Sequence, residues 1–144
     1  MTHSLAKPEA LLLTTGGSLL AAATQWPERD AISVDGTRLT WAMLRDQAIA
    51  RARGLIGLGV KPGDHVGLLV GNCADYIVLF CAIGLVGARA LTINARYGEH
   101  ELAHVLQHAD VDLLIIGGHT LPRTDFRARL MKSLPTLARP SHSV

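Results

Sequence analysis

Three histidines, His100, His104 and His108, stand four residues apart. On a helix, such spacing turns successive pairs toward one side, as paired zinc ligands do. His100 and His108 would lie about 12 Å apart by helical rise, too far to share an ion. At most one adjacent pair could bind, and it would need ligands from elsewhere. His65 and His119 have no evident placement to help, so the plain expectation is a polar stripe facing solvent. Thr14-Thr15-Gly16-Gly17-Ser18 follows an apolar run and opens a predicted helix, as a phosphate cradle would. It lacks the Gly-Lys-Ser/Thr ending of a P-loop and the spacing of a dinucleotide fingerprint. Gly54, Gly57 and Gly59 fail that spacing too and read as helix terminators. Asp110 and Asp112 flank a strand start, where turn and capping roles are common. No Gly-x-Ser-x-Gly elbow is present, and nothing read alone assembles a nucleophile, a base and an oxyanion site. No catalytic, cofactor-binding or metal residue is assigned.

The elements that would position such residues follow from periodicity. Ser18 caps a predicted helix over 19–25, stopped by Pro27. Residues 31–34 and 37–40 flank Asp35-Gly36, a strong hairpin signal. Thr40 caps the next helix, whose apolar stripe is Trp41, Leu44, Ala48, Ala52, Leu55 and Ile56. Lys61-Pro62-Gly63-Asp64 makes a turn into a strand over 66–70. Asn72 then caps a helix over 74–86, apolar on every side and so expected to be buried on more than one face. A strand over 90–93, a helix over 99–108 with acidic residues in its first turn, a strand over 111–116 and a helix over 126–134 complete the pattern. Strands alternating with helices predict parallel βαβ units with helices on both sheet faces.

With 144 residues, 49% of them hydrophobic and 18% charged, the chain suits one domain and excludes a disordered or coiled-coil chain. Aromatics are 4%, so the core must be aliphatic. The net charge of +2 hides an uneven distribution: Arg123, Arg127, Arg129, Lys132 and Arg139 face Asp125 alone after residue 120, leaving a mildly acidic body. A basic stripe with stacking aromatics is missing, so nucleic acid is not an expected partner. Cys73 and Cys81 would sit about 12 Å apart on one helix, too far for a disulfide, and fit a reducing compartment. Lys7, Ala10 to Leu13 and Ala21 to Ala23 loosely mimic a secretory signal, but Pro8, Glu9 and Gly16-Gly17 interrupt it. The longest uncharged stretch, 76–88, is shorter than the ~18 residues of a membrane span. A cytoplasmic location is expected.

Six segments, in order, resemble the beginning of an adenylate-forming (AMP-binding) acyl-CoA synthetase. Pro27-Glu28-Arg29-Asp30-Ala31 is similar to the family's Pro-Asp-Arg-x-Ala, and Leu39-Thr40-Trp41-Ala42-Met43-Leu44 to Leu-Thr-Tyr-x-Glu-Leu. Leu58-Gly59-Val60-Lys61-Pro62-Gly63-Asp64-His65-Val66 is similar to Leu-Gly-Val-x-Pro-Gly-Asp-x-Val. Asn72-Cys73-Ala74-Asp75-Tyr76 resembles Asn-x-x-Glu-Tyr. Gly84 to Ala88 with Leu91-Thr92-Ile93-Asn94 resembles Lys-x-Gly-Ala with Val-Pro-Leu-Asn-Pro, and Glu99-His100-Glu101-Leu102 resembles the helix that follows. Met43 departs from a usual Glu, and Thr92 and Ala95 from usual prolines. A thinner likeness runs from Phe126 to Leu137. The resemblance implies an α/β fold: an incomplete doubly wound parallel sheet with an N-terminal β-hairpin. The expected division of the chain is a flexible start (1–17), a partial ligase N-terminal domain (18–137) and a polar, disordered tail (138–144). The resemblance also implies fatty-acid and lipid metabolism, with ATP, Mg²⁺ and CoA as the full-length family's cofactors and a carboxylic acid as substrate. The family's Ser-Gly-Thr-Thr-Gly-x-Pro-Lys-Gly signature and catalytic lysine match nothing in these residues, so no cofactor is assigned to this chain alone. The expectation is a truncated N-terminal fragment of a ligase, inactive alone, with the remainder as partner. Half of a split ligase, or a non-catalytic α/β binding module, are the alternatives.

Overall fold

The computed structural model describes residues 14–117 and 125–133. The elements in chain order are α1 (Thr15–Gln25), β1 (Asp30–Val34), β2 (Thr37–Thr40), α2 (Trp41–Gly57), β3 (His65–Leu69), α3 (Ala74–Val86), β4 (Arg89–Thr92), α4 (Glu99–His108), β5 (Leu113–Ile116) and α5 (Phe126–Ser133). β1 and β2 form an antiparallel hairpin, and β3 lies between β4 and β5 in a parallel sheet. The hairpin turns where expected: Asp35 and Gly36 take φ of 48° and 77°, the positive values a tight two-residue turn needs.

The strand pleat divides the sheet's apolar residues between two helical layers. Val66 and Leu68 pack with Ala52 and Leu55 of α2 and with Ala82, Ile83 and Val86 of α3. Leu69 points the other way and packs with Leu102 of α4 and Leu130 of α5. α3 also contributes Val78 and Cys81 to a second cluster with Leu19, Ile32, Leu39, Leu44 and Ala48. It therefore serves the sheet on one side and α1, α2 and the hairpin on the other, which explains its lack of a polar face.

Two local expectations need correction. α1 begins at Thr15, one turn earlier than Ser18 would start it, and Thr14 Oγ1 accepts the Gly17 N–H at 3.0 Å. Residues 14–17 therefore belong to this helix rather than to a flexible start, and Gly16 is buried within it. The reason is tertiary: a Cβ on Gly16 would stand 2.9 Å from the Gly84 carbonyl oxygen, so glycine lets α1 and α3 approach. α3 is capped by Cys73 rather than Asn72, with no side-chain hydrogen bond at the cap. Residues 1–13, the tail at 138–144, His119 and Leu134 lie outside the described residues. No helix among the described residues is long and apolar enough to cross a membrane.

Candidate functional site: a crevice at the carboxyl ends of β3 and β4

In open parallel sheets, ligands bind beyond the carboxyl ends of the strands, where chains turn away into helices. β3 leaves through buried Val70 and Gly71 to exposed Asn72. β4 leaves through Ile93, whose N–H donates to the Leu68 carbonyl at 3.0 Å and extends the ladder by one rung. A local turn follows: Asn94 Oδ1 accepts the Arg96 N–H at 2.9 Å, and the Asn94 carbonyl accepts the Tyr97 N–H at 3.1 Å. Glu101 Oε2 accepts the Gly98 N–H at 2.8 Å, fixing the start of α4. Gly98 has no side chain, so only this half of a capping box forms.

These two strand ends bound a crevice of about 570 Å³, lined by Asn72, Tyr76, Asn94, Arg96, Tyr97 and the hairpin-tip Asp35, among others. Its lining offers amides, phenols, one guanidinium and one carboxylate. Such a set can orient a polar ligand, but it contains no paired acids and no nucleophile beside a base. A larger groove of about 1080 Å³ runs between α1 and the end of α3. Pro62 and Gly84 to Ala88 in its lining precede the starts of β3 and β4, and no charged side chain lines it. The crevice is therefore the better candidate.

The residues singled out by type do not converge there. Asp110 and Asp112 serve structure at the opposite strand ends. Asp112 Oδ2 accepts the His65 N–H at 2.8 Å, and His65 Nδ1 is 3.2 Å from the Asp110 carbonyl oxygen. Arg89 Nη1 lies 3.2 Å from His65 Nε2. A guanidinium can only donate, so Nε2 accepts, and His65 is the tautomer whose Nδ1–H donates to Asp110. This clasp ties the starts of all three parallel strands. Gly57 and Gly59 end α2, Gly59 with φ of 93°. His100, His104 and His108 are all exposed on α4.

Cys73 and Cys81 are free thiols, Cys73 half-buried and Cys81 buried. Burial raises the Cys81 pKa above its ordinary value, which keeps it protonated and unreactive at neutral pH. The folded chain holds that proton where the unfolded chain releases it. Stability is thus unaffected below the ordinary thiol pKa and falls as pH rises from there toward the raised value. A thiol reagent at pH 7.5 is expected to label one cysteine rapidly in the native chain and two in denaturant. Two fast thiols under native conditions would contradict this burial.

Asn72, Tyr76, Asn94, Arg96 and Tyr97 were not assigned from sequence. Their available signal was position, just past two apolar strands, rather than any catalytic residue type.

The pattern of the AMP-binding enzyme family matches residues 19–144. Acyl-CoA ligase sidI of Aspergillus fumigatus is 36% identical over 115 residues, covering 76% of this chain and 20% of that protein. A solved structure described as a long-chain-fatty-acid CoA ligase from Rhodopseudomonas palustris aligns with a TM-score of 0.75 at 34% identity, over 85% of this chain and 30% of that one. The N-terminal domain of FACL13 from Mycobacterium tuberculosis aligns with a TM-score of 0.69 at 27% identity, covering 87% of this chain and 29% of that one. The chain spans about a fifth of the length of the curated relatives it matches. Its hairpin and parallel sheet are those of an adenylate-forming ligase's N-terminal segment, and the chain belongs to the AMP-binding enzyme family.

Proposed function

We propose that these residues are the N-terminal scaffold of an ATP-dependent acyl-CoA ligase. Such an enzyme joins a carboxylate to the α-phosphate of ATP with loss of pyrophosphate, then passes the acyl group to the CoA thiol with release of AMP. The observation that carries this reading is the alignment of 85% of this chain with a solved structure described as a long-chain-fatty-acid CoA ligase, at 34% identity and a TM-score of 0.75. In this role β3, β4 and the turns after them supply one wall of the substrate crevice.

We assign no contact with Mg²⁺ or a triphosphate to the described residues. They contain no group of three or more His, Cys, Asp or Glu able to hold a metal, and Arg96 is the single cation in the crevice lining. No step of the reaction is routed through them. A transition state that develops charge on phosphate needs preorganised amides and cations around it, and the Ser-Gly-Thr-Thr-Gly-x-Pro-Lys-Gly signature that would supply them is not in these 144 residues. The remainder of a ligase is the proposed partner, a carboxylic acid the proposed substrate of the whole, and the cytosol the proposed location. The full 144-residue chain, incubated alone with ATP, Mg²⁺, CoA and a fatty acid, is expected to form no AMP above the rate without acid. Fatty-acid-dependent AMP formation would overturn the assignment of the chemistry to residues outside this segment.

A further inference from the structure

We propose that His104 and His108 of α4 form a two-histidine chelate for a divalent cation that favours imidazole, of the Zn²⁺ type. Their ring centroids are 4.3 Å apart, with the ring planes tilted by 34°. His108 Nδ1 lies 2.7 Å from the His104 carbonyl oxygen. A carbonyl can only accept, so His108 carries its proton on Nδ1 and leaves the Nε2 lone pair free. That arrangement, one ring nitrogen donating to a backbone carbonyl and the other open, is how proteins orient and enrich a metal-binding imidazole. Two Nε2 atoms bound to one Zn²⁺ at about 2.0–2.1 Å stand roughly 3 Å apart, a separation that small rotations of two exposed rings so close together can reach.

The upper pair of the stripe is poorer. Lys132, whose Nζ lies 3.5 Å from Glu99 Oε1, lines the same cleft as His100 and His104. Paired with the Glu99 carboxylate in the same cleft, it leaves no net charge there to draw a dication. No third His, Cys, Asp or Glu joins the pair among the described residues, so water completes the coordination shell.

The test is isothermal titration of the full 144-residue chain with Zn²⁺ at neutral pH, repeated on single variants. The chain has seven histidines, so the difference between variants is the readout. His104→Gln and His108→Gln are each expected to weaken the strongest Zn²⁺ site more than about tenfold, with His100→Gln leaving it unchanged. All three side chains are exposed, so the variants should fold, and circular dichroism checks this. Absence of saturable binding by the unsubstituted chain, unchanged affinity in His108→Gln, or an equal loss in His100→Gln would each overturn the chelate.

Discussion

Gly84→Ala and Gly54→Ala are expected to shift stability in opposite directions, although both replace a helical glycine with a better helix former. At Gly54, on the exposed side of α2, an added Cβ meets nothing within 4 Å. The substitution should stabilise by about 0.5–1 kcal/mol through helix propensity and lowered unfolded-state entropy. At Gly84 the new Cβ would stand 2.8 Å from Thr15 Cβ and 3.2 Å from the Gly16 backbone nitrogen. These are fixed atoms of another helix, and no rotamer change can move them aside. α1 must back away from α3, loosening the cluster in which Leu19 packs with Val78 and Cys81. Overpacking of this kind costs about 1–3 kcal/mol, enough to outweigh the propensity gain, and Gly84→Val should sit at the upper end. Urea melts of the two alanine variants check the signs. A stabilised Gly84→Ala protein would mean that the helices are not in close contact at this crossing.

Leu68→Ala should cost more. Leu68 is fully buried at the centre of β3, with a strand hydrogen-bonded on either side and α2 and α3 above it. Removing a buried leucine's outer carbons typically costs about 2–5 kcal/mol, depending on how far the site collapses. Here the backbone is pinned by ladders on both edges, so little collapse is available and the loss should approach the larger figure. Domains commonly hold only about 5–15 kcal/mol in total, so the transition midpoint should fall steeply. Leu58→Ser is the matched control: Leu58 is 73% exposed, and its loss should be nearly silent. Equal effects from the two would contradict the burial pattern.

Local chemistry made much of this fold legible in the sequence. The hairpin could be read because Asp35-Gly36 tolerates the positive φ its turn demands, and α4 because its acidic first turn and apolar spacing agree on the same residues. The bounds of β3 and β4 were each displaced by one residue, His65 pairing with Arg89 ahead of the apolar runs. Contacts between distant segments were not legible. Gly16 read as part of the turn ahead of a Ser18 cap because its reason for being a helical glycine lies at Gly84. The clasp of His65 with Asp112 joins residues 47 apart, so neither looked more than a polar residue near a strand start. The crevice was hidden for the same reason. Asn72 and Asn94 belong to separate segments of the family likeness and line one crevice only once β3 and β4 pair in parallel. The histidine spacing was visible, but Lys132, which shares a cleft with His100 and His104, comes from another helix.

The measurement closest to the central claim is complementation. The 144-residue chain would be mixed with a related fatty-acid CoA ligase from which the matching N-terminal segment has been removed, and AMP release followed with and without fatty acid. Association is verified by co-elution on size exclusion. Fatty-acid-dependent AMP release from the mixture, and from neither part alone, is the predicted result. A co-eluting mixture that releases no AMP, or release by this chain alone, would contradict the account of the segment as a ligase scaffold whose chemistry lies elsewhere.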